Sequence, residues 1–185
     1  DEDDANIGRV TLVTQCSVDR LPRLSAQAKA WGGPVSAAVF VPREDEMPFD
    51  DVTSALVAMT QQAQSEIGAT RLRISLLFAN PVSECRYDNQ YPINALRNLA
   101  LSQARSPLVL LLDVDFLPSR SLAAMCRRRP SVCALEQMTA AGQVLVVPAF
   151  EVATPSRDDN SDNTTQVPRE TSELQQLCAS GAAEG

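Results

Sequence analysis

Five consecutive aliphatic residues, Leu108-Val109-Leu110-Leu111-Leu112, run without a break into Asp113-Val114-Asp115-Phe116. A continuous apolar run of this kind fits a strand buried on both faces of a parallel sheet, where helices cover both sides and no alternate position meets water. The run then opens into two carboxylates separated by one apolar residue. Strand periodicity places both aspartates on the same side. They lie beyond the carboxyl end of a core strand, which is where open α/β sheets bind their ligands.

The rest of the chain repeats the alternation. After an acidic tail over residues 1–8, Val10-Thr11-Leu12-Val13 reads as a buried strand, and Leu21, Leu24, Ala28 and Trp31 recur at helical spacing until Gly32-Gly33-Pro34 stops them. Val35 to Val41 is the next strand. A helix capped by Asp50 or Asp51 runs to about Ile67, and Leu72 to Phe78 is a third strand, broken by Asn80-Pro81. From Pro92 a helix puts Ile93, Leu96, Ala100, Leu101 and Ala104 on one face and turns Asn94, Arg97 and Asn98 toward another. A helix from about Ser119 to Arg128 and a strand from Val144 to Val147 follow. Thr154 to Gln166 is polar enough to be a solvated loop, and a short helix spans about Thr171 to Cys178.

Strand alternating with helix gives an α/β fold. The length fits one domain over residues 1–185, with a core over 10–151, a polar loop over 152–168 and a terminal helix and end over 169–185.

Composition removes several chemistries. The chain has no histidine, which excludes an imidazole base, a Ser-His-Asp or Cys-His nucleophile and a histidine-bearing zinc site within these residues. Its one lysine, Lys29, follows no Gly-rich loop, and its seven glycines form no G-x-G-x-x-G. A net charge of −7 is the wrong sign for neutralising nucleic-acid phosphates, so no nucleic-acid partner is expected. The apolar runs fall far short of the roughly 20 residues that cross a bilayer, so no membrane contact is expected from this chain. None of the five cysteines forms a C-x-x-C pair; Cys126 and Cys133 flank the Arg127-Arg128-Arg129 run and are spaced for a local disulfide, the alternative being buried thiols. Asn163-Thr164-Thr165 is a glycosylation acceptor triplet in the polar loop. The arginine run reads as a solvated helix C-terminus, where cations are favoured.

What remains is chemistry by carboxylates, arginines, amides and a metal. Hard oxygen ligands suit Mn²⁺, with Mg²⁺ as the alternative, since such ions take one or two carboxylates plus substrate phosphates. Asp113 and Asp115 are the expected metal ligands. The competing reading makes them turn residues, with Asp115 helping to cap the helix after Pro118.

Five ordered blocks resemble glycosyltransferase family 49, which includes the LARGE glucuronyltransferase domain and the β-1,4-glucuronyltransferase of the dystroglycan glycan. They are Val10 to Leu21 (VTLVTQCS-x-DRL), Gly33-Pro34-Val35, Tyr91 to Ala100 (YP-x-N-x-LRN-x-A), Asp113 to Pro118 (DVDFLP) and Val146 to Glu151 (VVPAFE). The resemblance implies a GT-A fold, a UDP-sugar donor with glucuronate as the sugar, Mn²⁺, a glycan acceptor and inversion at the anomeric carbon. It also implies the Golgi lumen, as part of a type II membrane protein. It implies that Thr14 and Gln15 border the uridine with Arg20 nearby, and that Asn94, Arg97 and Asn98 face the nucleotide or its phosphates, the alternative being that Arg97 pairs with a carboxylate and the asparagines cap or brace the helix. Inversion needs a carboxylate base, for which Glu151 is the candidate, with Glu136 or a residue outside this chain as alternatives.

Two departures stand out. Over Val167 to Leu174 the family's lysine is replaced by Thr171, which removes a phosphate contact. The family's later portion, which supplies a histidine metal ligand and much of the acceptor site, is expected to lie beyond Gly185. A truncated, inactive relative acting as a nucleotide-binding or interaction module is therefore the alternative to an active enzyme.

Overall fold

In the computed structural model, which describes residues 8–43, 48–66, 72–79, 91–152, 168, 171–180 and 183–184, the first buried run continues past Val13. Strand β1 covers Val10–Ser17 and stays buried almost to its end. A 3₁₀ turn over Val18–Arg20 leads into helix α1, Leu21–Trp31. Pro22 is tolerated there because a first-turn N–H has no helical partner to lose. The helix stops at Gly32, whose φ of 62° is the left-handed conformation that glycine adopts without strain.

Strand β2 (Val35–Val41) pairs parallel with β1, and β3 (Leu72–Phe78) pairs parallel with β2. Between them lies α2, Phe49–Glu66, which carries Asp50 and Asp51 in its first turn, where carboxylates favour the helix dipole. Helix α3 (Ile93–Gln103) follows, and β4 (Leu108–Leu111) returns to pair parallel with the free side of β1. The sheet order is β3-β2-β1-β4.

Alternation along β1 divides the core between the two faces of the sheet. Leu12 and Cys16 join Ala37 and Val39 of β2 under Leu24 and Ala28 of α1 and Val52 of α2. Val13 and Ala38 point the other way, under Leu96 and Ala100 of α3. The fold is therefore the expected α/β arrangement, a Rossmann-like parallel sheet flanked by helices.

Four expectations need correction. The helix over about Ser119 to Arg128 is shorter: α4 is Arg120–Met125, with the Ser119 hydroxyl accepting from Leu122 N at 3.2 Å. A further helix, α5 (Arg129–Ala140), carries Pro130 in its first turn, and its buried Val132 joins the core on the α1 side. Val144 to Val147 forms no ladder: Val144 and Val146 are 89% and 90% exposed, because an apolar run without a partner strand has nowhere to place its N–H and C=O groups except water. Cys126 and Cys133 are both free thiols, the first buried and the second exposed.

The arginine run also has a structural role. Arg127 Nη2 donates to the carbonyl of Trp31 at 2.6 Å, capping the end of α1. A short two-stranded antiparallel sheet, β5 (Glu151–Val152) with β6 (Ala183–Glu184), and helix α6 (Thr171–Ala179) complete the described elements. The polar stretch from Thr154 to Gln166, with its acceptor triplet at Asn163, lies outside the described residues. No helix among the described residues is long and apolar enough to cross a membrane.

Gly32 is closely confined, since a Cβ there would stand 3.2 Å from Arg127 Nη2 in addition to the left-handed backbone. Gly32→Ala is expected to cost about 1–2 kcal/mol of stability, the penalty of a left-handed L-residue, read as a lowered urea midpoint at unchanged slope.

Candidate functional site

The chain leaves β1 toward β2 and β3, then crosses back to lay β4 on the other flank of β1. That reversal is a topological switch point, and the crevice beyond the carboxyl ends of β1 and β4 is where such a sheet accepts a ligand. The backbone N–H of Leu112 donates to the carbonyl of Val13 at 3.0 Å, extending the β1–β4 ladder by one residue. The chain then turns. Phe116 N donates to the Asp113 carbonyl at 3.0 Å, so Asp113 and Asp115 are presented from a tight turn and not, as strand periodicity would have it, from an extended strand.

Each carboxylate has its own set of donors. Asp113 Oδ1 accepts from Gln15 Nε2 at 2.8 Å and from Arg97 Nη2 at 2.9 Å. Asp115 accepts from Arg20 Nη1 on both oxygens, at 2.5 and 2.6 Å, and pairs with Arg23 through Oδ1. Three guanidinium groups, from the 3₁₀ turn, α1 and α3, thus converge on two carboxylates at the switch point. The hydrogen bond from Gln15, followed by that from Arg97, holds the Asp113 carboxyl below its ordinary value of 3.8, against an opposing effect of partial burial.

Tyr91, at the entrance to α3, closes one side of the crevice. Its ring meets Phe40 edge-to-face with centroids 5.7 Å apart, and its hydroxyl is pushed up to about 12, first by burial and further by the charge of Asp113. The Cys16 thiol is likewise raised to about 12 by burial and by Asp19, so it stays protonated and is no nucleophile.

The predicted residues separate on this geometry. Gln15, Arg20, Arg97, Asp113 and Asp115 come together. Thr14, expected to border a nucleotide, is fully buried, because β1 alternates and turns it to the α1 side of the sheet, while its neighbour Gln15, itself only 5% exposed, faces the α3 side and reaches Asp113. Asn94 and Asn98 are exposed on α3 on either side of Arg97. Glu151 lies on β5, which pairs with β6 and not with the four-stranded sheet. Glu136 pairs with Arg9, at the amino end of β1. Gln15 lies six residues on from Arg9 along the strand, about 20 Å at ordinary strand rise, so Glu136 is removed as a candidate base at this site.

Arg23, Gln27 and Tyr91 were not anticipated. Arg20, Arg23 and Gln27 fall at intervals of three and four, the spacing of one helical stripe, and that was the available signal.

The donor chemistry fits a hard divalent ion. Among the described residues no group of three or more Asp, Glu, Cys or His side chains gathers to hold a metal, so the two aspartates would need oxygen ligands from a bound diphosphate to complete the shell.

The profile of the family described as glycosyl-transferase for dystroglycan matches residues 9–87 and 77–184. Xylosyl- and glucuronyltransferase LARGE2 of Mus musculus is 37% identical over 144 residues, covering 77% of this chain and 18% of that protein. Glycosyltransferase-like protein LARGE of Caenorhabditis elegans is 32% identical over 163 residues, covering 85% of this chain and 23% of that protein. Glycosyltransferase-like protein gnt14 of Dictyostelium discoideum is 38% identical over 114 residues, covering 62% of this chain and 16% of that protein. The chain therefore spans about a fifth of the length of these curated relatives.

Because Gln15 and Arg97 favour the ionised form, Asp113 contributes stability that is complete above its ordinary value of 3.8 and is lost as pH falls through the lower folded-state value. Asp113→Asn removes that contribution. The stability gap between wild type and Asp113→Asn is expected to hold steady down to about pH 5 and to shrink below about pH 4, as read from thermal melts across that range.

Proposed function

This chain belongs to glycosyltransferase family 49, the family described as glycosyl-transferase for dystroglycan, and on that premise we propose that it is the nucleotide-sugar-binding part of an inverting, Mn²⁺-dependent glycosyltransferase that moves glucuronate from a UDP donor to a glycan hydroxyl in the Golgi lumen. The observation that carries this reading is the convergence of Arg20, Arg23 and Arg97 on Asp113 and Asp115 at the switch point. Two carboxylates alone would repel a diphosphate, and arginines alone would bind any anion. Together they fit a diphosphate bridged to the protein by a cation.

Asp113 and Asp115 would hold the metal, leaving its remaining positions to phosphate oxygens. When bound there, the ion supplies Lewis acidity that offsets the charge developing on the departing nucleoside diphosphate. The guanidinium groups of Arg20, Arg23 and Arg97 offer planar donor pairs that match phosphate oxygens and hold the leaving group in line. Gln15 steadies Asp113 from β1 through its 2.8 Å hydrogen bond. In the transfer itself the acceptor oxygen bonds to the anomeric carbon as the bond from that carbon to the phosphate oxygen breaks, and the acceptor's proton passes to a carboxylate. We assign that proton to Glu151. Glucuronate as the sugar fits the name of the mouse relative, which covers xylosyl and glucuronyl transfer alike.

Calorimetry with UDP, with and without Mn²⁺, tests the site directly. Binding is expected to require Mn²⁺ and to vanish in the Asp113→Ala, Asp115→Ala double variant; equal binding by that variant would reject the metal site. Titration with UDP-glucuronate beside UDP-xylose separates the two sugars named in the relative. Glu151→Gln is expected to leave UDP affinity unchanged while transfer falls by about 10²–10⁴-fold, the usual contribution of a general base.

A further inference from the structure

The geometry points to Gln27 as the positioning residue of the Asp113–Phe116 turn, a role that deepens the reading above and rests on it for its functional consequence. Gln27 sits on the buried side of α1 beside Leu24, Ala28 and Trp31, and its side chain is wholly removed from solvent. Burying an amide costs stability for each group left unbonded, and a leucine or methionine would fill the same volume without that cost. Both protons of Nε2 are committed: one goes to the carbonyl of Asp113 and one to the carbonyl of Phe116, each at 2.8 Å.

Those two carbonyls are the ends of the turn that carries both aspartates. The Asp113 carbonyl also accepts from Phe116 N at 3.0 Å, so one oxygen is fixed from within the turn and from the helix behind it. Asp113 and Asp115 project from the span between the anchored ends, and their separation follows from how that span is held. The same helix region steers the carboxylates from the front, because Arg20 and Arg23 engage Asp115 while Gln27 engages the backbone. Gln27 Oε1 has no hydrogen-bond partner among the described residues, so the amide is placed for its donors. Gln27 bonds to the backbone of the turn and to neither carboxylate. It acts through the turn.

Gln27→Met keeps length and approximate volume and removes both hydrogen bonds. Two readouts are taken on the whole chain: amide hydrogen exchange over residues 112–117, and Mn²⁺ affinity measured by calorimetry at saturating UDP. The Phe116 amide is expected to exchange faster while amides of β1 keep their wild-type rates. Mn²⁺ is expected to bind about 10–100-fold more weakly, as for other outer-shell losses, at unchanged stoichiometry. A merely destabilised chain would instead lose stoichiometry and keep its Kd.

Wild-type exchange at Phe116 in the folded variant overturns the proposal, as does faster exchange with an unchanged Mn²⁺ Kd. If wild type itself takes up no Mn²⁺ with UDP, the metal reading fails, and the exchange arm still decides whether Gln27 holds the turn. Should Gln27→Met not fold, Gln27→Leu, which likewise removes both donors without burying a charge, carries the same two measurements.

Discussion

The parallel pairing of β4 with the outer flank of β1 is the constraint from which the site follows. β1 is buried on both faces and already paired with β2, so β4 completes it by adding to its remaining edge. Register then fixes the chemistry. Leu111 lies opposite Val13, the ladder ends at Leu112, and the next residue leaves the sheet beside Gln15. A slip of one residue would exchange the buried and outward positions of β4 and carry Asp113 away from its amide partner. The aspartates are where they are because β4 leaves the ladder after Leu112 while β1 runs on to Ser17, so they emerge beside the last residues of β1.

Charge is organised locally against the overall balance. The chain carries 23 acidic and 16 basic residues, yet the switch point gathers three arginines around two aspartates. Each arginine comes from a different piece of local structure, Arg20 from the 3₁₀ turn, Arg23 from α1 and Arg97 from α3. The arrangement depends on both faces of the sheet being covered, since α1 and α3 pack on opposite sides. A core built to bury β1 therefore also delivers cations to its carboxyl edge from above and below.

Much of this was legible in the residues, for identifiable reasons. Val35–Val41 and Leu72–Phe78 form strands with the expected bounds, because Pro34 and Pro42 frame the first and the second alternates before turning apolar. Helix α1 ends where its glycines said it would. Failures came where pattern and partner part company. Val144 to Val147 has the composition of a strand but no neighbouring ladder, and composition carries no information about pairing. α5 was hidden because Pro130 reads equally as a stop or as a helix start. In the site, the aspartates were visible because they interrupt an apolar run. Gln27 and Arg23 were masked by the apolar stripe of the same helix, and Thr14 could not be distinguished from Gln15 without knowing which face of β1 packs toward α3.

The ion pairs at the switch point are made by partly exposed groups, with Arg20, Arg23 and Asp115 side chains 43%, 60% and 45% accessible. Exposed pairs of this kind are worth about 0–1 kcal/mol each, because water screens the attraction and long side chains must be ordered to form them. Their contribution to holding the fold is small. What they provide is placement: guanidinium groups already gathered at the crevice can exchange a carboxylate oxygen for a phosphate oxygen at little cost, and the ordering of their side chains is met before any ligand arrives. The stable part of the site lies deeper, in the buried strand β1, the amide of Gln27 and the backbone turn it grips. A rigid base with weakly committed charges on top suits the proposed donor, which would bind firmly through its diphosphate and then leave as a nucleoside diphosphate.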